Sequence, residues 1–521
     1  RGQGGGSFVQ EHCHPSGRAV ALKPRKFGGG ETRGSMKLAE VMKGVVVKEW
    51  QGGREAEISG LAYDSKQVGR GSLFCTWKGR KSDGHAFISD AVQRGAVAVV
   101  AEKKIPEAIV PRIRVESGRR ALGRMAANFY GHPSQEVRVI GLTGTNGKTS
   151  TAMLLQTLFQ AGGLQCGYLG TVGNDVGKGR QPARQTTPEA LDLQALLAEM
   201  RENGCRAATM EVSSHALEQG RTEGVNFAGA IFTNLGRDHL DYHGTMEAYE
   251  SAKGKLFEGL TEGAFAVIPQ EDPSGVRMVA RCRPGVRVMT YGVERGDVFT
   301  KNLKMGMGGS SFTLCTTEGE VAATLPWLGR FNVSNALAAA AAAMQSGWSA
   351  ERVAAGLGRA PAVPGRMEKV AHAGDISVLV DYAHTADAVA ASLRTLKPLT
   401  QGSLWVVFGA GGDRDAGKRS GMAAEAAKWA DRVVLTSDNP RSEDPKKIMQ
   451  EMAVGLPRGT AVQMVENRAE AIRMAVGSAS AGDVVLVAGK GHEEFQEVAG
   501  EKIPFSDRRE VERALAERGR K

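Results

Sequence analysis

At 521 residues, 41% hydrophobic and 24% charged, the chain has the composition of a globular protein and is too long for one core, so about three domains are expected. No apolar run reaches the about 18 residues of a transmembrane helix, and six scattered cysteines without C-x-x-C spacing argue for reduced thiols in a cytoplasmic protein, not a disulfide framework or a zinc site. The net charge of +10 divides into +4 over residues 1–35 and +6 over the remainder, a mild excess that suits anionic small substrates; without a basic run carrying interleaved aromatics, nucleic acid is not an expected partner.

Residues 1–35 are glycine-rich, basic and aperiodic, and lack the apolar core of a signal peptide. They read as a disordered extension or a spurious upstream translation, and in that context His12, Cys13 and His14 are not expected to hold a metal. A first α/β unit spans 36–135. Ile58 to Ser65 reads as a strand ending in a polar turn, Gly71 to Thr76 as a second strand, Phe87 to Gln93 as a helix, and Ala96 to Val100 as a buried strand. Between them Lys78 to Gly84 forms an exposed basic loop; with Asp64-Ser65 it is either a site for uridine or a diphosphate, or a solvated loop.

The middle unit, 136–362, contains the most informative stretch. The apolar run Val137 to Leu142 reads as a buried strand, Thr143-Gly-Thr-Asn-Gly-Lys-Thr-Ser150 as a turn, and Met153, Leu154, Leu155, Leu158 and Phe159 recur at helical spacing. Strand, glycine-rich turn and helix make a phosphate-binding loop. Gly144 and Gly147 let the backbone N–H groups of Thr145, Asn146 and Ser150 approach an anion, the helix N-terminus adds its dipole, Lys148 supplies a cation, and Thr149 offers a hydroxyl to Mg²⁺. The first glycine of the general pattern is replaced by Leu142, so this is a variant; ATP is the expected nucleotide. Three more apolar strands follow, Ala207 to Val212, Ala228 to Asn234 and Ala264 to Ile268. At their carboxyl ends either Glu211 or the run His239, Asp241, His243 could supply Mg²⁺ ligands.

The last unit, 363–521, alternates strands (Ile376 to Asp381, Trp405 to Phe408, Arg432 to Thr436, Val484 to Ala488) with helices such as Ala386 to Leu396, the pattern of a doubly wound sheet. Gly409-Ala-Gly-Gly412 lacks the third glycine and the acidic residue of a dinucleotide fingerprint, so NAD is not expected. Arg414, Asp438, Arg441 and Glu493 all follow strand ends, and two guanidiniums with two carboxylates suit an amino-acid substrate.

GTNGKT, MEVSSHAL, TNLGRDHLDYHG, SAKGKLF, GRFNVSNALAA, VPGRME, DYAHT and SDNPR occur in that order, and together they resemble the Mur ligase family over residues 36–521. The resemblance implies an α/β protein of three domains: a UDP-binding N-terminal domain, a central P-loop ATPase-like sheet and a C-terminal Rossmann-like sheet that takes the incoming amino acid. It implies ATP-dependent amide formation on UDP-N-acetylmuramoyl-L-alanyl-D-glutamate, with ATP and Mg²⁺ as cofactors, no membrane insertion and a monomeric enzyme. Tyr63, Ser65, Arg80, Lys81 and Ser82 would sit at uridine diphosphate. Gln185, Thr186, Thr187, Ser213, Gln219 and Arg221 would line the muramoyl-peptide site. Asn332 and Asn335 correspond to the adenine side, while Arg366 and Asp381 would reach ATP, with His384 in the same region. Lys148, Lys253 and His239 would be catalytic, and Thr149, Glu211, His239 and Lys253, the last as a carbamate, would surround the metal. Asp438, Asn439, Pro440 and Arg441 resemble the branch that selects meso-diaminopimelate, with Arg414, Gly489 and Glu493 completing the amino-acid site. Arg441 would clamp the distal carboxylate that lysine lacks, and with lysine would be left as an unpaired buried charge. Gly236 departs from the serine frequent in TNLSRDHLD. A lysine-adding member and a folylpolyglutamate-type ligase are the enzyme alternatives; a P-loop switch or nucleic-acid NTPase is the alternative from another class.

Overall fold

The computed structural model describes residues 34–79, 82–105 and 110–519. The expectations for residues 1–33, Arg80 and Lys81 therefore lie outside the described residues. The chain divides into two compact units, one ending at Phe129 and one running from Tyr130 to Lys521.

In the first unit a five-stranded sheet runs in the order Val47–Gln51, Arg112–Val115, Ala96–Ala101, Ser72–Thr76, Gly60–Ala62. The first pair is antiparallel and the others are parallel. The single strand expected over Ile58 to Ser65 is interrupted at Ser59: Glu57–Ile58 pairs with Met36–Lys37, and only Gly60–Ala62 joins the sheet. It ends because the Asp64 side chain accepts from the Lys66 N–H at 3.0 Å and starts a 3₁₀ turn at Ser65. The helix expected at Phe87 is a 3₁₀ turn, Gly84–Phe87, leading into Ile88–Gln93.

The second unit carries two larger sheets. In the first, six parallel strands are β1 (Arg138–Thr143), β2 (Cys166–Gly170), β3 (Ala207–Glu211), β4 (Phe227–Phe232), β5 (Phe265–Pro269) and β6 (Arg287–Tyr291). Their order is β2-β3-β1-β4-β5-β6, with Gly173–Asp175 and Arg180–Gln181 added antiparallel beside β2. Because strand side chains alternate, Ile140 and Leu142 enter one core with helices α1 (Lys148–Ala161) and α3 (Arg330–Gln345), whereas Val137 and Val139 enter another with Leu256 and Phe257 of α2 (Met246–Glu258). Both faces are covered, which is why these strands read as unbroken apolar runs. On α3, Ala338 to Ala343 are fully buried, and their small side chains admit close helix and sheet neighbours.

Two of these parallel strands, β2 and β6, were not among the sequence expectations, nor was a separate antiparallel sheet of Phe299–Gly306, Gly309–Thr316 and Gly319–Leu325. Strand β2 is CGYLG, with two glycines that weaken any strand signal, and β6 lies at an edge with Arg287 and Val288 exposed.

The second sheet contains β7 (Ser377–Asp381), β8 (Leu404–Phe408), β9 (Arg432–Leu435), β10 (Val462–Met464) and β11 (Val484–Ala488), all parallel in the order β7-β11-β8-β9-β10. Glu368–Lys369 adds antiparallel beside β7. The reordering, with the last strand inserted second, is that of a doubly wound sheet. Arg468 and Asp507, both fully buried, form a two-pronged ion pair at 2.7 Å, and Arg468 also donates to the carbonyls of Ser437 (3.3 Å) and Ala488 (2.8 Å). This pair ties together the carboxyl ends of β9 and β11, where Asp438 and Gly489 emerge. Among the described residues no helix is long and apolar enough to cross a membrane.

Candidate active site

Strand β1 has β3 on one side and β4 on the other, so the phosphate loop, Glu211 and the segment Thr233–Gly236 emerge side by side. That segment pins the loop. Asn234 accepts from the Thr145 N–H through its carbonyl (2.9 Å) and from the Asn146 N–H through its side chain (3.0 Å), Thr233 Oγ1 donates to the Asn146 carbonyl (2.6 Å), and Gly236 N–H donates to Thr145 Oγ1 (2.9 Å). Gly236 contributes only backbone to these bonds, so the departure from serine leaves them intact. Gly144 has a φ of 145°, and a Cβ there would stand 1.9 Å from Thr233 Oγ1; at Gly147, with a φ of 84°, a Cβ would meet Asn335 Oδ1 at 2.3 Å. Gly144→Ala is therefore expected to remove nucleotide binding, measured by titration with a fluorescent ATP analogue, because the loop must abandon either this backbone conformation or its anchor.

Lys148 curls over its own loop, Nζ donating to the carbonyls of Gly144 and Thr145 at 2.8 Å each. Burial lowers its pKa, and nearby Arg366 adds to that, while Glu211 and Asp238 oppose it. Lys253, on α2, is 1% exposed, and its Nζ donates to the same Gly144 carbonyl at 2.7 Å and lies 4.2 Å from the Tyr249 ring centre. Burial, then the charge of Lys148, push the Lys253 ammonium well below the ordinary lysine range. Two amines thus share one carbonyl oxygen, and burial disfavours the charged form of both, that of Lys253 the more.

Glu211, 1% exposed, accepts from Tyr168 Oη (2.5 Å), Thr171 N–H (3.0 Å), Thr171 Oγ1 (3.0 Å) and Thr149 Oγ1 (3.0 Å). The Thr149 hydroxyl and the Glu211 carboxylate are thus adjacent hard oxygen donors beside the phosphate loop, the donor type that Mg²⁺ prefers. Among the described residues no three His, Cys, Asp or Glu side chains converge as a ready-made metal site. His239 heads the short helix Leu240–His243 with a φ of 54°, its ring 4.9 Å from that of His215. Burial draws its pKa down to about 4, with Asp238 opposing and His215, Lys148 and Lys253 adding to the effect. Its imidazole is neutral and faces the two lysines electrically.

Around this centre the structure gathers Gln185, Thr186, Thr187, Ser213, Gln219 and Arg221. Thr187 Oγ1 donates to the Glu211 carbonyl (2.9 Å) and accepts from Ser213 N–H (3.0 Å), and Thr186 Oγ1 lies 3.1 Å from Thr171 Oγ1. Arg221 donates to Gln185 Oε1, to the Thr187 carbonyl (3.0 Å) and to Gln219 Oε1 (2.8 Å). Ser150 is buried in the first turn of α1. Asn332 and Asn335 are buried on α3; Asn335 Nδ2 donates to Asn332 Oδ1 (3.2 Å), and its own Oδ1 packs against Gly147.

The second sheet reaches the same centre. Arg366 Nη2 donates to Thr149 Oγ1 at 3.2 Å, its guanidinium lies 4.3 Å from the Tyr382 ring centre, and its buried Nε has no partner among the described residues, an arrangement that fits an anion beside the loop. The Asp381 carboxylate, expected to reach ATP, accepts from Met367 N–H (2.6 Å) and Ala383 N–H (2.8 Å), with Ser392 Oγ at 3.4 Å. It thereby positions Arg366 from one residue away. His384 Nε2 lies 4.0 Å from Asp238 Oδ2, which also faces His239.

The DNPR segment crosses the glycine-rich loop after β8. A Cβ on Gly409 would stand 2.2 Å from the Thr436 carbonyl and one on Gly412 1.9 Å from the Pro440 carbonyl, so close backbone approach requires these glycines. Arg414 and Arg441 flank Gly411, and Asp438 Oδ2 fills the space beside Gly489. Asn439 Nδ2 donates to Glu493 Oε2 (2.8 Å), while Lys490, fully buried, donates to both Asn439 Oδ1 (2.8 Å) and Glu493 Oε2 (2.7 Å). The expectation that Arg441 stands unpaired without a carboxylate ligand is corrected: its Nε donates to Glu497 Oε2 (3.1 Å) and its Nη1 to the Gly412 carbonyl (2.6 Å). Tyr168, Thr171, Asp238, Tyr382, Lys490 and Glu497 escaped the sequence reading. Asp238 and Tyr382, inside TNLGRDHLDYHG and DYAHT, and Lys490, beside Gly489, carried a signal.

Three family models match the chain: "Mur ligase family, catalytic domain" over residues 57–130, "Mur ligase middle domain" over 142–343 and "Mur ligase, glutamate ligase domain" over 365–491. The UDP-N-acetylmuramoyl-L-alanyl-D-glutamate--2,6-diaminopimelate ligase of Geobacillus kaustophilus is 44% identical over 475 residues, 90% of this chain and 96% of that protein. A solved structure of a UDP-N-acetylmuramoyl-L-alanyl-D-glutamate--2,6-diaminopimelate ligase superposes with a TM-score of 0.67 at 34% identity, covering 93% of this chain and 99% of its own. The Thermotoga maritima MurF ligase in complex with ADP, at 19% identity and a TM-score of 0.63 over 88% of this chain and 97% of that one, shares the fold. With family models over all three regions and a relative of this identity along nearly its whole length, the chain belongs to the Mur ligase family.

Proposed function

We propose that the chain joins meso-diaminopimelate to the D-glutamyl γ-carboxylate of UDP-N-acetylmuramoyl-L-alanyl-D-glutamate at the expense of ATP, as a cytoplasmic monomer in peptidoglycan precursor synthesis. The observation that carries this is the convergence of Lys148, Lys253 and the Thr149–Glu211 pair at one sheet edge, reached from the second sheet by Arg366. The division into domains at 36–135, 136–362 and 363–521 belongs to the proposal, as does a UDP site at Tyr63, Ser65, Arg80, Lys81 and Ser82. Tyr63 stacks on Trp77 at 6.0 Å between ring centres, an aromatic pair suited to a base.

The chain's residues divide the work. Lys148 and the loop N–H groups hold the triphosphate, and Arg366 approaches it from the second sheet. Gln185, Thr187, Ser213 and Arg221 orient the muramoyl peptide so that its carboxylate oxygen meets the γ-phosphorus in line. Mg²⁺, held by Thr149, Glu211 and a carbamate on Lys253 with His239 alongside, would offset the repulsion between carboxylate and triphosphate. The γ-carboxylate displaces ADP to give an acyl phosphate; the neutral diaminopimelate amine then attacks the acyl carbon, phosphate leaves with the bonding electrons, and the proton lost by the amine nitrogen passes to the departing phosphate or to water. Asn439, Glu493, Arg414 and Arg441 would hold that amino acid.

Hydroxylamine supplied in place of the amino acid tests the chemistry. With ATP and the UDP-muramoyl dipeptide a γ-glutamyl hydroxamate is expected by mass spectrometry. Its absence in an enzyme that turns over with diaminopimelate would contradict the acyl phosphate.

A further inference from the structure

Arg441 has a φ of 51°, in the left-handed region that side-chain-bearing residues rarely adopt, so something must hold it there. The restraint comes from the hairpin of Phe495–Val498 and Glu501–Pro504. Its backbone grips Arg441 on both sides: Arg441 N–H donates to the Glu497 carbonyl (3.0 Å), and Ala499 N–H donates to the Arg441 carbonyl (2.7 Å). Glu497 N–H donates to Asn439 Oδ1 (2.9 Å), and Gln496 Nε2 donates to the Asp438 carbonyl (2.6 Å) and Ser437 Oγ (3.2 Å). The hairpin therefore docks along the whole DNPR segment. Its one acidic contact with the guanidinium is Glu497 Oε2 on Nε, while Gly412 takes Nη1 from the opposite side. With Nε held by Glu497 and Nη1 by Gly412, the plane of the guanidinium is fixed, and Nη2 is bonded to none of the described residues. Both side chains of the pair are partly exposed, at 21% and 30%, so the ion pair itself adds little to folding. The backbone bonds hold the left-handed φ, and the side-chain pair fixes only the guanidinium, so the pair has its consequence in what the guanidinium binds.

We propose that Glu497 is the positioning residue of the amino-acid site: it sets the Arg441 guanidinium so that its Nη edge receives the distal carboxylate of the substrate, the group that separates a diaminodicarboxylate from lysine. The proposal rests on diaminopimelate being the substrate. Glu497 touches no reacting atom and acts only through Arg441.

Steady-state kinetics on the full chain, with each substrate varied in turn, test it. Glu497→Ala is expected to raise KM for meso-diaminopimelate about tenfold, the loss of one charge-assisted hydrogen bond. The kcat and the KM values for ATP and the UDP-muramoyl dipeptide stay at wild-type level. Glu497→Gln, whose amide oxygen still accepts from Nε, should restore KM to within about threefold of wild type. In the double variant Glu497→Ala/Arg441→Ala, KM should match that of Arg441→Ala alone, because Glu497 has nothing left to position. An unchanged KM for diaminopimelate in Glu497→Ala, or effects that multiply in the double variant, would overturn the proposal while leaving the ligase intact. A wild-type enzyme that ignores diaminopimelate would instead overturn the functional reading, and this proposal with it.

Discussion

Lys148→Ala is expected to lower kcat/KM by at least about 10³-fold, the scale on which removal of a charge aimed at a transferring phosphoryl group is felt. Nζ donates to the carbonyls of Gly144 and Thr145, and burial lowers its pKa. The oxygens of a triphosphate are anionic acceptors where these carbonyls are neutral, so Nζ interacts more strongly with the nucleotide than with its own loop. Loop geometry does not depend on Lys148: Asn234, Thr233 and Gly236 hold it. Circular dichroism and the unfolding midpoint should therefore stay at wild type while phosphate release disappears. Wild-type phosphate release in the variant would remove Lys148 from the chemistry.

Lys253→Ala is expected to cost about 10²–10³-fold in kcat, the loss typical of one preorganised electrostatic contact. Lys253→Arg should be as inactive, since a guanidinium stays cationic and cannot take up CO₂. A lysine left charged at this site would be a second buried cation on the Gly144 carbonyl beside Lys148, with no carboxylate within ion-pair reach among the described residues. Conversion to a carbamate replaces that repulsion with attraction toward Lys148. Wild-type enzyme stripped of CO₂ should accordingly lose activity and regain it with bicarbonate, and the alanine variant should respond to neither treatment. Full activity of Lys253→Ala in CO₂-free buffer would contradict the role.

Much of this was legible in the sequence where chemistry and local pattern coincide. The helix Ala386–Leu396 and the strand Val484–Ala488 fall where periodicity places them, because each is apolar on the faces it buries and bounded by turn residues. The phosphate loop was legible for a stronger reason: glycines at left-handed positions directly before a lysine have few purely structural uses. What escaped depends on partners distant in the chain. The donors of Tyr168 and Thr171 to Glu211 come from strand β2 and the turn after it, which two glycines disguised. Asp381 sits at a strand end like a ligand, yet its oxygens are drawn to the N–H groups of Met367 and Ala383, a competition no spacing reveals. Arg441 read as an isolated clamp because its counter-charge, Glu497, lies 56 residues away on a hairpin, a pairing that no local spacing reveals.

Which amine the enzyme accepts decides between the members of the family. Purified protein would be supplied with ATP, Mg²⁺ and UDP-N-acetylmuramoyl-L-alanyl-D-glutamate, with meso-diaminopimelate in one reaction and L-lysine in another, and the UDP-muramoyl tripeptide quantified by mass spectrometry. Tripeptide formed with diaminopimelate, and at most a small fraction of that rate with lysine, is the expected result. Equal or faster turnover with lysine would contradict the assignment of Arg441 to the distal carboxylate, and no tripeptide from either amine would contradict the ligase itself.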